Sequence, residues 1–397
     1  MSKSKNIKNI AIIGAGEMGH GIAQIALMAG YNVNLADIKE DLVKNAVSEI
    51  ESGLKKAESK GKLQKGQNAS DLLSRLNMTT KNTEAVKNCD FMIEAVIEKM
   101  EIKKQVFEVA ADNAPEHTIL ASNTSTMSIS EIAKATNRPE KVIGMHFFNP
   151  PILMRLIEVI HGEKSSEKTI KKAKKLGKTL PCLRGDRYIA EVLKDRPGFI
   201  VNRLNAPVQI YMSWVFDKAE EKKIGWEQID ADAGGIMPMP PCMLMDFTGI
   251  DTVYHTMKYY EETLSEDFKP GKVITRMYNE NKLGQKTGEG FYDWSKGRDA
   301  IKIKYKNAEP AGLFNVQNTM AIMLNEGCRI LKEEITESYK VIDKANMAGM
   351  NTPGPFGPGK RSYEKWSEKL VDLADKTDKD YLAPIDLMKS GKFKDYK

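Results

Sequence analysis

The run Ile10-Ala11-Ile12-Ile13-Gly14-Ala15-Gly16-Glu17-Met18-Gly19-His20-Gly21 sets a Gly-x-Gly-x-x-Gly turn directly after an apolar strand and at the start of a helix. Each glycine has its own task. Gly14 makes the tight turn, Gly16 lets backbone approach a pyrophosphate, and Gly19 lets the helix pack closely on the strand. The helix opens at Glu17 and Met18, and its N-terminus offers free N–H groups and a positive dipole end to phosphates. A second strand ends Leu35-Ala36-Asp37, where a carboxylate accepts from a ribose 2′-hydroxyl. These parts, in this order, predict a Rossmann-type dinucleotide-binding domain. Asp37 would repel a 2′-phosphate and so favours NAD over NADP, although Lys39 nearby leaves NADP open.

Outward from that run, short apolar segments alternate with amphipathic ones. Ile10–Ile13, Val33–Ala36, Phe91–Val96, Ile119–Ala121, Val142–Met145 and Leu156–Ile160 read as strands, and the helices between most of them predict a mainly parallel sheet. The α/β domain is expected over 1–195. Beyond Asp195-Arg196-Pro197-Gly198 the pattern is helical only, with Phe199, Ile200, Leu204, Val208, Met212 and Val215 at helical spacing, so 196–300 is expected to be an all-α domain. The tail, 310–397, reads as a second, diverged helical repeat. Its Val341-Ile342-Asp343-Lys344-Ala345, followed by Gly349, Pro353, Gly354 and Pro355, echoes Ile229-Asp230-Ala231-Asp232-Ala233, followed by Gly234, Gly235, Pro238 and Pro240. Such a repeat packs on its own copy or on a partner subunit, so a homodimer is one expectation.

Composition narrows the function. The 397 residues are 41% hydrophobic and 29% charged, with no apolar run long enough for a membrane span. The start, Met1 to Asn6, has no secretory h-region. The four cysteines form no Cys-x-x-Cys pair, which argues against a zinc site or a disulfide framework and for a reducing cytoplasm. A net charge of +6 without basic runs interleaved with aromatics does not indicate nucleic acid.

Among five histidines, His146 stands out. It closes the strand Val142-Ile143-Gly144-Met145, and carboxyl ends of strands in an open parallel sheet face the ligand crevice. Glu158 lies inside the apolar run Leu156-Ile157-Glu158-Val159-Ile160, where a buried carboxylate needs a partner. A His–Glu pair holds the imidazole in one tautomer and raises its basicity, as a general base for a hydroxyl requires.

Four segments together resemble the signature runs of 3-hydroxyacyl-CoA dehydrogenases. They are Ala121-Ser122-Asn123-Thr124-Ser125-Thr126; Gly144 to Pro151 with Leu156 to Val159; Arg196-Pro197-Gly198-Phe199-Ile200-Val201-Asn202-Arg203; and Gly284 to Tyr292. The resemblance covers about residues 8–295, and the tail is similar to the second C-terminal repeat of longer members. Some of those continue into an enoyl-CoA hydratase domain, which is not expected here because the chain ends at Lys397. The resemblance implies an NAD-dependent oxidation of a short 3-hydroxyacyl-CoA, a step of fatty-acid metabolism. In it His146 takes the hydroxyl proton, Glu158 orients His146, and Ser125 and Asn202 hydrogen-bond the substrate oxygens. Ser125 also meets the nicotinamide side. Glu98, Lys103, Asn149 and Lys286 match family positions lining the cofactor, and Lys60, with Lys55 and Lys56, falls where members contact coenzyme A phosphates.

The chain also departs from the family pattern. It carries Met237-Pro238-Met239-Pro240-Pro241-Cys242 in place of a Pro-Met-Gly-Pro turn, and Gly53 where some members have a coenzyme A-contacting serine. Two alternatives remain open at this point. One is a related dehydrogenase of a free hydroxy acid, such as a sugar acid or carnitine; the other is a non-catalytic NAD-binding structural protein.

Overall fold

The computed structural model describes residues 7–237 and 239–397; Met1 to Asn6 and Pro238, both part of the reading above, lie outside the described residues. Eight strands form one sheet: β1 (Asn9–Ile13), β2 (Asn32–Ala36), β3 (Leu76–Thr79), β4 (Phe91–Glu94), β5 (Ile119–Ser122), β6 (Val142–Phe147), β7 (Leu156–Ile160) and β8 (Tyr188–Val192). Their order is β3-β2-β1-β4-β5-β6-β7-β8. The first six are parallel, β7 runs antiparallel to β6, and β8 is parallel to β7. The inner strands read as unbroken apolar runs because helices cover both faces. The order reverses between β1 and β4, and a crevice opens at the carboxyl ends of strands at such a point.

Strands β3 and β8 were not legible beforehand. Both are edge strands with only partial burial, so neither carries the continuous apolar run that marks a central strand. The helix Glu40–Ser59 shows the opposite case, since its buried residues Val43, Ala46, Ile50, Leu54 and Ala57 recur at the three- and four-residue spacing of one helical face.

The chain forms two compact units. One is residues 1–201 with 334–354; the other is residues 202–333 with 355–397. The domain edge expected after residue 195 therefore falls at Val201, and the tail expected as one repeat is divided between the units. The reason is packing: Leu193 N–H donates to Ile335 O at 2.8 Å and Arg155 N–H to Ala348 O at 3.2 Å, which stitches the segment 334–354 onto the α/β unit.

Within the helical unit two long helices make reciprocal contacts. Arg203, on the helix Val201–Glu221, is buried against Glu326 on the helix Val316–Lys332. Tyr211, on the first helix, accepts a 3.2 Å hydrogen bond from Asn318 on the second. The interval from Arg203 to Asn318 equals that from Tyr211 to Glu326. The two contacts thus cross at equal spacing on the two helices, which is the pattern of a two-fold interface.

Candidate active site

The glycine turn is built as its spacing demands. Gly14 has φ +105°, and a Cβ there would stand 2.4 Å from Ala95 O. A Cβ on Gly19 would lie 1.8 Å from Gly14 O, so its absence seats the helix Glu17–Met28 on the turn itself. A Cβ on Gly16 would meet nothing within 4 Å. The turn is closed against its own strands and open on the side where a pyrophosphate would lie, which fits a dinucleotide. Asp37 directly follows the second strand and steadies the loop, accepting from Ala15 N–H at 2.9 Å and Lys39 N–H at 3.2 Å. Asn149 donates to Glu17 Oε1 at 2.8 Å, tying the β6–β7 link to the first turn of that helix.

The register of β6 and β7 sets His146 opposite Glu158. Side chains of such a pair leave the sheet on the same face. The imidazole Nδ1 lies 2.7 Å from Glu158 Oε2, with both side chains buried. An ionised carboxylate only accepts, so Nδ1 carries the proton and Nε2 is left as the basic nitrogen. Glu158 Oε1 accepts from Ile200 N–H at 3.2 Å and Val201 N–H at 2.9 Å, which satisfies a carboxylate that has no exposed surface. The rings of Phe148 and Phe199 lie 4.5 and 5.9 Å from the imidazole.

A second polar chain runs from β4 to Ser125. Glu94, fully buried at the end of β4, accepts from Ser122 Oγ at 2.6 Å and Lys103 Nζ at 2.7 Å. Lys103 Nζ also lies 3.0 Å from Glu98 Oε2. Glu98 Oε1 accepts from Thr124 Oγ1, Ser125 N–H and Ser125 Oγ at 2.9, 2.8 and 3.2 Å. Burial raises the Glu94 carboxyl pKa despite the Lys103 ammonium. Burial acts the same way on Glu98, but Lys103 and the Ser125 N–H outweigh it and hold that carboxyl below its ordinary value. Lys103, anticipated as lining the cofactor, is 1% exposed and is taken up by Glu94 and Glu98.

The other anticipated residues have surroundings of their own. Lys55, Lys56 and Lys60 are exposed at the end of the helix Glu40–Ser59, with Lys55 bonded to Glu51 at 2.6 Å. Gly53 faces Gln24, whose amide nitrogen would lie 2.5 Å from a Cβ at that position. Asn202 and Lys286 belong to the helical unit, where Lys286 pairs with Asp251. Sequence reading missed Glu94 and Phe148. Glu94 carries the signal that exposed Glu158: a carboxylate inside an apolar run, here Phe91-Met92-Ile93-Glu94-Ala95-Val96.

Two family models match. The "3-hydroxyacyl-CoA dehydrogenase, NAD binding domain" covers residues 9–181, and the "3-hydroxyacyl-CoA dehydrogenase, C-terminal domain" covers 198–294. The chain is 36% identical over 297 residues to the mitochondrial hydroxyacyl-coenzyme A dehydrogenase of Sus scrofa, covering 72% of this chain and 91% of that one. It is 38% identical over 295 residues to the 3-hydroxybutyryl-CoA dehydrogenase of Clostridioides difficile, covering 72% and 99%. Among solved structures, a 3-hydroxybutyryl-CoA dehydrogenase from Escherichia coli K12 superposes with TM-score 0.82 at 25% identity, covering 97% of this chain and 98% of that one.

Proposed function

The chain belongs to the 3-hydroxyacyl-CoA dehydrogenase family, and from that premise we propose how its residues perform an NAD-dependent interconversion of 3-hydroxyacyl-CoA and 3-oxoacyl-CoA. The substrate we assign is a short (S)-3-hydroxyacyl-CoA, 3-hydroxybutyryl-CoA in the first instance, because relatives of that name align over nearly their whole length. Bound NAD supplies the acceptor for the hydride leaving C3. His146 Nε2 takes the 3-hydroxyl proton, and Glu158 stabilises the imidazolium that forms. Ser125, held by Glu98, and Asn202 donate to the substrate oxygens and fix the C3–H bond in line for transfer. Lys55, Lys56 and Lys60 take the coenzyme A phosphates as exposed point charges.

The observation that carries this reading is the buried 2.7 Å contact between His146 and Glu158. A carboxylate in this position fixes the imidazole tautomer and stabilises the charged ring, which is what a general base uses. NADH oxidation with acetoacetyl-CoA and with free acetoacetate tests the substrate class. The thioester is expected to turn over far faster, and equal rates would sink the assignment in favour of a free hydroxy acid.

The setting we propose is the cytoplasm, in keeping with four free cysteines; no helix among the described residues is long and apolar enough to cross a membrane. The reciprocal Arg203–Glu326 and Tyr211–Asn318 contacts lie within one chain, so a homodimer would use a different surface. Nucleic acid is not a partner in this reading.

A further inference from the structure

The helix Tyr339–Met350 lies beyond the residues that either family model matches, yet it belongs to the α/β unit. Its last turn is tied to the β6–β7 link, where Ala348 O accepts from Arg155 N–H at 3.2 Å. Gly349 follows, buried and helical. A glycine inside a helix costs about 0.5–1 kcal/mol relative to alanine. Nothing in the backbone requires it, because the left-handed residue is Asn351, at φ 55°, rather than Gly349. The requirement is space. A Cβ on Gly349 would stand 2.8 Å from Leu156 Cδ2 and 3.3 Å from Phe148 Cε1. Phe148 in turn lies 4.5 Å from the His146 imidazole, ring to ring, and Leu156 begins the strand that carries Glu158.

We propose that Gly349 is a positioning residue for His146, acting through Phe148, so that the tail helix forms part of the wall behind the base. The inference rests on the reading of His146 as that base. A side chain at 349 pushes on Phe148, which rests against the imidazole, while the Glu158 contact holds Nδ1. The imidazole then tilts away from the substrate hydroxyl, and transfer geometry is sensitive to shifts well below an ångström.

The test uses the full chain and follows kcat, KM for NADH, the pH–rate profile and the melting temperature. Gly349→Ala is expected to shift the melting temperature only slightly, because the helix gain of alanine is set against the crowding of Leu156 and Phe148, yet to lose several-fold in kcat with KM for NADH unchanged. Gly349→Val is expected to lose about tenfold or more, and adding Phe148→Leu to it is expected to restore part of that loss by making room. Parental kcat and pH profile in both single variants would overturn the proposal. So would a folded Gly349→Val whose loss Phe148→Leu does not relieve. If valine prevents folding, Gly349→Ala decides alone. His146→Gln is assayed beside them. Turnover surviving in it removes the base itself, whereas turnover lost there and intact in the Gly349 variants removes only the positioning role.

Discussion

His146 and Glu158 are register partners across the antiparallel pair β6 and β7, and their side chains meet at 2.7 Å. Had β7 continued the parallel order, a crossover of a dozen or more residues would have been needed between them. The short link through Asn149-Pro150-Pro151 instead folds the chain back on itself and brings the carboxylate to the imidazole.

Exchanging Glu158 for Gln keeps the shape and removes the charge. An amide can donate to Nδ1, which would place the imidazole proton on Nε2 and leave no base. We expect Glu158→Gln and His146→Gln each to lower kcat by about 10²–10⁴-fold while NAD affinity, followed by fluorescence titration, stays at the parental value. Unchanged kcat in either variant would refute the assigned chemistry.

Lys103 neutralises a carboxylate that has no exposed surface. Its loss strands Glu94, and breaking a buried pair from one side costs about 3–5 kcal/mol. Lys103→Met should therefore shift the urea midpoint strongly downward, and adding Glu94→Gln should recover a substantial part. Additive effects in this cycle would mean that the two groups do not interact as described.

The lysines at the end of the helix Glu40–Ser59 are exposed, so their removal should leave stability nearly untouched. Replacing Lys55, Lys56 and Lys60 together with Ala is expected to raise KM for acetoacetyl-CoA while kcat holds. The salt dependence of KM should flatten, since screened phosphate contacts are what was removed. A parental KM at low ionic strength would take these residues out of the substrate site.

Asp246, in the helical unit, accepts from Phe291 N–H, Tyr292 N–H and Trp294 Nε1–H at 2.8, 2.9 and 2.9 Å. Burial nonetheless outweighs these bonds and raises its pKa from 3.8 to about 6. The folded chain thus holds this proton more tightly than the unfolded one. The stability it contributes is complete below about pH 4 and is lost as pH rises through about 6. The destabilisation caused by Asp246→Asn should accordingly be largest at about pH 4 and below and shrink towards pH 7.5 in thermal melts. A penalty growing with pH would mean that the ionised form is the favoured one.

Several features were legible before any coordinates. The glycine turn could be read because its constraints are local, a positive φ at Gly14 and no room for a Cβ at Gly14 or Gly19. The inner strands could be read because burial on both faces demands apolar runs. Glu158 announced itself as a charge where none is tolerated alone. The edge strands β3 and β8 were silent for the same reason, since partial burial relaxes the pattern. Glu94 sent the signal that Glu158 sent, but no histidine on a neighbouring strand drew attention to it.

Only the tertiary structure could decide where the tail goes. Amphipathic spacing in 310–397 says that those helices bury a face, but not against which surface. Burial free energy depends on the area removed from water and not on the identity of what covers it. Whether Gly349 met a sister helix or the wall behind His146 was therefore settled by the packing of Phe148 and Leu156, two side chains about two hundred residues earlier in the chain.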